Sequence, residues 1–527
     1  MRKRRIFKLL LFFTFSSSIT VVCSSGYITP ASLTATAAVT QEETLIPTAF
    51  FVMPSDTPTL PPTPTDTPDP SLITPTTEIT SPTPLPTWTP TDVPISADTP
   101  PLLYYAQSGD TLVGLANRFN VNPFEIVSPD PIPENGLINP EQMLMIPQRL
   151  AITTSDEKIL PDSEVVYSPT AADFDVITYV NNLDGYLADY NEYIFPTGID
   201  SGAEVIQRVA LEYSINPRLL LSLLEYNSHW LLGHPQSFQE QYYPMKYISI
   251  DNKDLHLQLA WAANQISIGY YQWRDGSLIE LTFSDGSTMR LAPTLNAGTV
   301  GIMYYFSKIM NPQEWALALD STIGIAGLHS VLFENAWDRA AQIEPIFPAN
   351  LTQPALILPF VEEQIWAFTG GPHGAWTIDG SQAALDFAPG SVRHGCTPSN
   401  LWTVATAPGV IARLGNGVVM LDLDGDGKEQ TGWVLFYLHV NPIDNLHVGK
   451  RVDQGDLLGH PSCEGGRATG THLHIVRKFN GEWIAADGPI PFNLSGWEAH
   501  AGDSPYEGYL TRGEDIIEAS ERGAYSS

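Results

Sequence analysis

Basic residues are scarce in this chain of 527 residues: 26 Lys and Arg stand against 58 Asp and Glu, a formal net charge of −32. A field of that sign repels phosphate backbones and anionic headgroups, which excludes nucleic acid and acidic lipid as principal partners. Long apolar runs are missing too. Only Leu9 to Cys23, fifteen residues behind the cations Arg2, Lys3, Arg4, Arg5 and Lys8, approaches one, and it falls short of the roughly 20 that a membrane-spanning helix needs. The pattern predicts an export signal over residues 1–25, no integral membrane segment after it, and a secreted or cell-envelope location. Cysteine is nearly absent, with 3 in the chain. Cys23 falls inside the signal, where Val21-Val22 lack the small residues that precede a lipidated cysteine. Cys396 and Cys463 are then an even pair in an exported chain. That predicts one disulfide, against the alternative of two buried thiols. By the chain-entropy account, closing so long a loop stabilises the fold by about 4 kcal/mol.

A second absence marks the linker. From Pro54 to Pro94 there is no Lys, Arg or Gly, while 13 prolines and 13 threonines stand among the 41 positions. Such a segment buries no core and favours extended polyproline II. At about 3.1 Å per residue it spans on the order of 120 Å. Residues 26–102 are therefore expected to be a stalk.

The remaining chain, 43% hydrophobic and 10% aromatic overall, is long enough for several cores. Residues 103–150 read as a strand, a turn at Ser108-Gly109-Asp110, a short helix and a closing strand. Asp110 is placed to cap the helix, whose buried stripe is Leu112, Leu115, Ala116 and Phe119. With Gly109-Asp110-Thr111-Leu112 and Ile146-Pro147 in register, the segment resembles a LysM domain. The resemblance implies a βααβ module that binds N-acetylglucosamine-containing glycan.

Residues 151–175 read as a polar connector and 176–345 as a helical domain. Val205, Ile206, Val209 and Ala210 mark one helix face, Asn216-Pro217 opens the next helix, and Leu219 to Leu224 is apolar nearly all round. The stretch from Glu204 to Trp230 resembles lysozyme-like lytic transglycosylases. That family places a catalytic Glu directly before Ser, and here the pair is Asn227-Ser228. An amide cannot protonate a glycosidic oxygen. Glu225 lies two residues earlier, about 200° around the helix, and is expected to be solvated or capping. Ile268 to Trp273 and Asn296 to Thr299 suit either a glycan groove or the core.

The C-terminal third, residues 346–503 with a tail at 504–527, alternates short apolar strands with Gly, Asn and Asp, which predicts an antiparallel β module and makes the chain multidomain α+β. Seven of the 12 histidines lie between His373 and His474. His472 and His474 alternate along one strand and so share a face, about 7 Å apart. Phe436-Tyr437-Leu438-His439 offers a third imidazole, His373 follows Gly370-Gly371-Pro372, and Asp386 sits in Leu385-Asp386-Phe387. Two imidazoles and a carboxylate are the donor set of a catalytic zinc site with an open position.

The order His373, Asp386, His439, His472-Leu473-His474 resembles the lysostaphin-type peptidoglycan metallopeptidases. The twelve residues between His373 and Asp386 depart from the lysostaphin spacing of three and are similar to the LasA, or β-lytic, branch. Ala407 to Ile411 and Val448 to Gly459 agree with that family. The resemblance implies a zinc endopeptidase acting on peptidoglycan peptides. It makes His373, Asp386 and His474 the zinc ligands and His439 and His472 catalytic, with base and stabiliser roles not divided between them. His394 has no counterpart in the pattern, and His447, His460 and His500 read as loop or surface residues.

Asp422, Asp424 and Asp426 alternate as in a calcium loop, but Trp433 stands where an EF-hand carries Glu. A Ca²⁺ site and a plain hairpin turn both account for them. For the whole chain, the alternatives to a wall peptidase are a non-catalytic scaffold that activates a partner hydrolase, a glycan-cleaving enzyme, and a peptidase of ordinary proteins. The complete ligand set disfavours the first and Asn227 the second.

Overall fold

The computed structural model describes residues 99–520 apart from residue 378 and residues 391–394. The expected export signal, nearly all of the Pro/Thr-rich stretch, His394 and residues 521–527 lie outside the described residues. Among those described, no helix is long and apolar enough to cross a membrane.

The first module pairs β1 (Leu102–Tyr105) antiparallel with β2 (Met143–Ile146), and α1 (Leu112–Phe119) packs beneath them with Leu115, Ala116 and Phe119 buried. The second helix expected between the strands is one 3₁₀ turn, Pro123–Glu125. Asp110 does not cap α1. Thr111 does, its side chain accepting from Gly114 N. Asp110 is buried and accepts instead from Tyr104 Oη, from Gln107 N and from Arg118, all within 2.8 Å. A buried carboxylate needs full pairing, and Arg118 supplies the charge. The module is docked on the helical region: Gln107 Nε2 donates to Thr294 O, Arg290 to Arg118 O, and Phe347 N to Ser108 Oγ.

The helical region is built on α2 (Gly202–Tyr213), α3 (Pro217–Ser228), α4 (Leu255–Asp275) and α5 (Ala297–Ile309). A capping box of Ser201 and Glu204 starts α2, and Asn216 with Pro217 starts α3. Leu219, Leu220, Leu221, Leu223 and Leu224 are all buried, so α3 is the central helix. α4 and α5 approach at Gly269 and Gly301; a Cβ on Gly269 would lie 2.5 Å from Tyr304 Cβ, so only glycine permits that crossing. Residues 159–167 are not connector. Ile159, Leu160, Val165, Val166 and Tyr167 enter this core, and Tyr167 N and Asn216 N pair the segment with the α2–α3 turn.

Glu225 is buried rather than solvated, accepting from Leu231 N and Leu232 N just beyond α3. Asn227 is buried and donates to Leu223 O and Tyr305 Oη. Both segments that suit either a glycan groove or the core contribute buried residues. Tyr270 and Trp273 are core, Asn296 donates to Leu160 O and Asp162, and Thr299 Oγ1 accepts from Ile159 N.

The C-terminal region is an antiparallel sheet of β3 (Trp366–His373), β4 (Ala384–Pro389), β5 (Gly409–Gly415), β6 (Val418–Asp422), β7 (Trp433–Leu438), β8 (Arg451–Val452), β9 (Leu473–Phe479) and β10 (Glu482–Trp483). Their order is β8-β5-β6-β7-β9-β4-β3, with β10 paired to β9. β4, β7 and β9 are buried nearly throughout, as strands covered on both faces must be. One face meets the helical domain: Tyr270 Oη donates to Glu482, and Trp483 N donates to Tyr271 Oη. Arg274 joins all three regions, reaching Glu482 and Asp162 at 3.0 Å and the Ser108 carbonyl. The expected tail is structured to Ser520. Gly508–Arg512 and Asp515–Glu518 form a hairpin that continues from Trp497–Ala501, with Leu510 in the core. Cys396 and Cys463 form the expected disulfide.

Candidate metal centre

β9 lies between β7 and β4, so His474 is opposite Asp386 on one side and Leu438 on the other. His439 follows Leu438 directly. Gly370 faces Asp386 from β3, where a Cβ would lie 2.9 Å from Asp386 Oδ2; the glycine keeps room for the carboxylate. His373 closes β3. Sheet register thus delivers three donors to one point: His373 Nε2 is 3.1 Å from His474 Nδ1 and 3.4 Å from Asp386 Oδ1, and His474 Nδ1 is 3.1 Å from Asp386 Oδ1.

The far ring nitrogens define the tautomers. A carbonyl oxygen only accepts, so Gly371 O receives a proton from His373 Nδ1 at 2.8 Å, and Ala375 O one from His474 Nε2 at 3.0 Å. In the neutral rings, His373 Nε2 and His474 Nδ1 therefore present lone pairs to each other and to a carboxylate, all buried. Three acceptors aimed at one point without a donor are a poor arrangement unless a cation joins them. Two imidazoles and a carboxylate fit zinc. Burial opposes ionisation of Asp386, yet His373 and His474 beside it, when protonated, hold its carboxyl well below the usual range. Burial also pushes the His474 imidazole down, against the pull of Asp386, which favours the neutral ring.

The other two imidazoles stand next to this cluster. His439 Nδ1 donates to Glu464 O at 2.7 Å and His472 Nδ1 to Gly470 O at 2.7 Å, which leaves each Nε2 as the acceptor. Their ring centroids are 4.4 Å apart, and His472 Nε2 is 3.7 Å from Asp386 Oδ2. Burial, then the neighbouring His472 and His474, pushes the His439 imidazole down to about 3. His439 holds a φ of +64°, a left-handed conformation rare for a residue with a Cβ and typical of functional sites.

All five residues named from the sequence are thus brought together. His447 is exposed on a loop, whereas His460 lies in the strand Leu457–Pro461 with its ring tilted against Trp402, and His500, in the strand Trp497–Ala501, pairs with Thr511 Oγ1. Asp422, Asp424 and Asp426 also converge, all within 4.8 Å. Their oxygens are engaged by the turn itself, Asp422 accepting from Asp424 N and Gly427 N, Asp424 from Asp426 N, and Asp426 from Lys428 N. Burial, then the neighbouring Asp424 charge against the pull of Gly427 N, raises the Asp422 carboxyl to about 6. Sequence reasoning missed Tyr506, whose ring lies on His373 with centroids 4.0 Å apart. A lone tyrosine in an assumed tail carries no signal.

Residues 158–346 match the family model described as "LasA, N-terminal domain". Protease LasA of Pseudomonas aeruginosa strain PAO1 is 24% identical over 363 residues, covering 66% of this chain and 79% of that protein. The same protein of strain UCBPP-PA14 gives the same figures. That alignment extends well beyond the length of the family-model match. Among solved structures, the M23 metalloprotease pseudoalterin from the deep sea is 24% identical, covering 32% of this chain and 96% of that chain with a TM-score of 0.27. The catalytic domain of lysostaphin from Staphylococcus simulans is 23% identical, covering 23% and 89% with a TM-score of 0.17.

Proposed function

We propose that this protein is an exported zinc metalloendopeptidase that hydrolyses amide bonds in peptidoglycan stem peptides or cross-bridges. The observation that carries the reading is the convergence of His373 Nε2, His474 Nδ1 and Asp386 Oδ1, with two further imidazoles beside them. The similarity to Protease LasA supports the same reaction class.

His373, Asp386 and His474 would hold the zinc. Bound there, it supplies Lewis acidity that acidifies a water and polarises the scissile carbonyl. The chain's own residues manage the protons. His439 and His472 both present a bare Nε2 at rest, because a main-chain carbonyl holds each Nδ1 proton. One takes the proton of the attacking water and the pair returns one to the departing amine, while the protonated ring faces the developing oxyanion. Asp386 Oδ2 lies 3.7 Å from His472 Nε2. The β1–α1–β2 module supports a role in wall targeting through its resemblance to LysM, and the helical region is read as non-catalytic because Asn227 is a buried hydrogen-bond donor.

Incubating the purified secreted protein with peptidoglycan and reading fragments by mass spectrometry tests this. Newly freed amino termini within the peptides, lost on chelation and regained with zinc, are expected. Intact peptides in wall material of every cross-link type would sink the reading.

A further inference from the structure

The three proposed ligands and the two proposed acid–base imidazoles are held by different means. Asp386 and His474 lie inside paired strands, and His373 ends a third, so register places them. His439 lies between Leu438 and the strand Val440–Pro442, and His472 lies just before Leu473 in a single bridge with Ser462, so the ladder of the main sheet does not itself fix either residue. Loop hydrogen bonds replace it. Ser462 N and Ser462 Oγ both donate to His439 O, and Glu464 O accepts from His439 Nδ1. His472 N donates to Ser462 O, while Thr471 N donates to Gly395 O and Thr471 Oγ1 to Thr397 O at 2.6 Å.

The residue between Ser462 and Glu464 is Cys463, and the residue between Gly395 and Thr397 is Cys396. The disulfide, with Cα atoms 5.7 Å apart, therefore joins the loop that grips His439 to the loop that grips the His472 segment. Among the described residues, the main-chain hydrogen bonds that fix the ligand rings run to Gly371 O and Ala375 O, outside both loops.

We infer that the Cys396–Cys463 disulfide, with Ser462 and Thr471, is a positioning device for the two catalytic imidazoles and not a support of the zinc ligands. This rests on the roles proposed above for His439 and His472. Without the crosslink the ligand strands remain paired, but the two Nε2 atoms lose their fixed separation. A displacement near 1 Å of an acid–base group costs on the order of 10²-fold in turnover.

The test uses the full secreted chain and a cross-linked muropeptide. The double variant Cys396→Ser, Cys463→Ser should retain zinc near one per chain and a KM within about twofold of the parent, while kcat falls about tenfold or more. With the disulfide intact, Thr471→Val cuts the bond to Thr397 O and Ser462→Ala cuts the Oγ bonds to His439 O and Glu464 N; each should lower kcat at constant zinc content, and Thr471→Ser should restore it. A parent that does not cleave, or that is indifferent to His439→Ala and His472→Ala, refutes the peptidase reading itself. A parent that cleaves through both histidines, beside a cysteine-free variant with parental kcat, overturns the positioning role alone. If the cysteine-free chain misfolds or loses zinc, the tether variants decide: parental kcat in both overturns the inference.

Discussion

Tyr506 lies flat against His373, with ring centroids 4.0 Å apart and planes inclined by 22°. The ring comes from the loop before Gly508–Arg512 and covers one face of a buried imidazole. Burial, then the nearby Asp386 charge, raises its phenol above the ordinary range, so the hydroxyl stays protonated at neutral pH. Removing the ring in Tyr506→Ala should loosen His373 and weaken zinc affinity by about 10-fold or more, the scale of losing a contact that orients a ligand. Tyr506→Phe should preserve it. Metal titration against a competing chelator measures both.

The proposed ligands and the proposed acid–base residues should separate by metal content. His373→Ala, Asp386→Ala and His474→Ala should lose zinc and activity together. His439→Ala and His472→Ala should keep zinc near one per chain while turnover drops about 10²-fold. The contrast between His472 and His474 is the sharpest, since one residue separates them. Zinc loss in His472→Ala with retention in His474→Ala would reverse the roles.

Glu429 is buried between Arg413 and Lys478, at 2.6 and 3.0 Å. Burial opposes its charge, but the two cations, Arg413 first, bring its carboxyl down to about 2 from 4.5. A carboxyl whose folded value lies below its unfolded one contributes stability that is complete above about pH 4.5 and lost as pH falls toward about 2. The contribution is roughly 3 kcal/mol. Denaturant midpoints across that window should fall steeply in the parent. In Glu429→Gln they should start lower and fall less.

Arg274→Ala should be among the most destabilising single changes outside the site. It leaves Glu482, fully buried, without its cation and breaks the contacts to Asp162 and Ser108. Unpairing a buried charge costs about 3–5 kcal/mol, and thermal unfolding should show it.

A chain carrying His474→Ala should release neither reducing ends nor anhydro-sugars from peptidoglycan, because Asn227 stands in the helical region where an acid would be needed. Asn227→Glu should not create that activity. It should lower the melting temperature, since a carboxylate there loses the bonds to Leu223 O and Tyr305 Oη.

The residues that converge could be named in the primary structure because the order His373, Asp386, His439, His472-Leu473-His474 resembles the lysostaphin-type metallopeptidases, with only the alternation of His472 and His474 readable from spacing. Helices α2 and α3 and the even cysteine pair were legible because caps, periodicity and counting are local properties. Tertiary structure decided everything that depends on which surfaces meet. Asp110 turned from helix cap to buried counter-ion because Arg118, eight residues on, reaches back to it along α1. Residues 159–167 became core, and Tyr270 became a link to Glu482, because two domains share a face. Tautomers were settled by the carbonyls of Gly371, Ala375, Glu464 and Gly470, and main-chain acceptors look alike in any sequence. Chemistry resides in side chains and can be read one residue at a time. Positioning resides in distances between segments far apart along the chain, and only folding sets those.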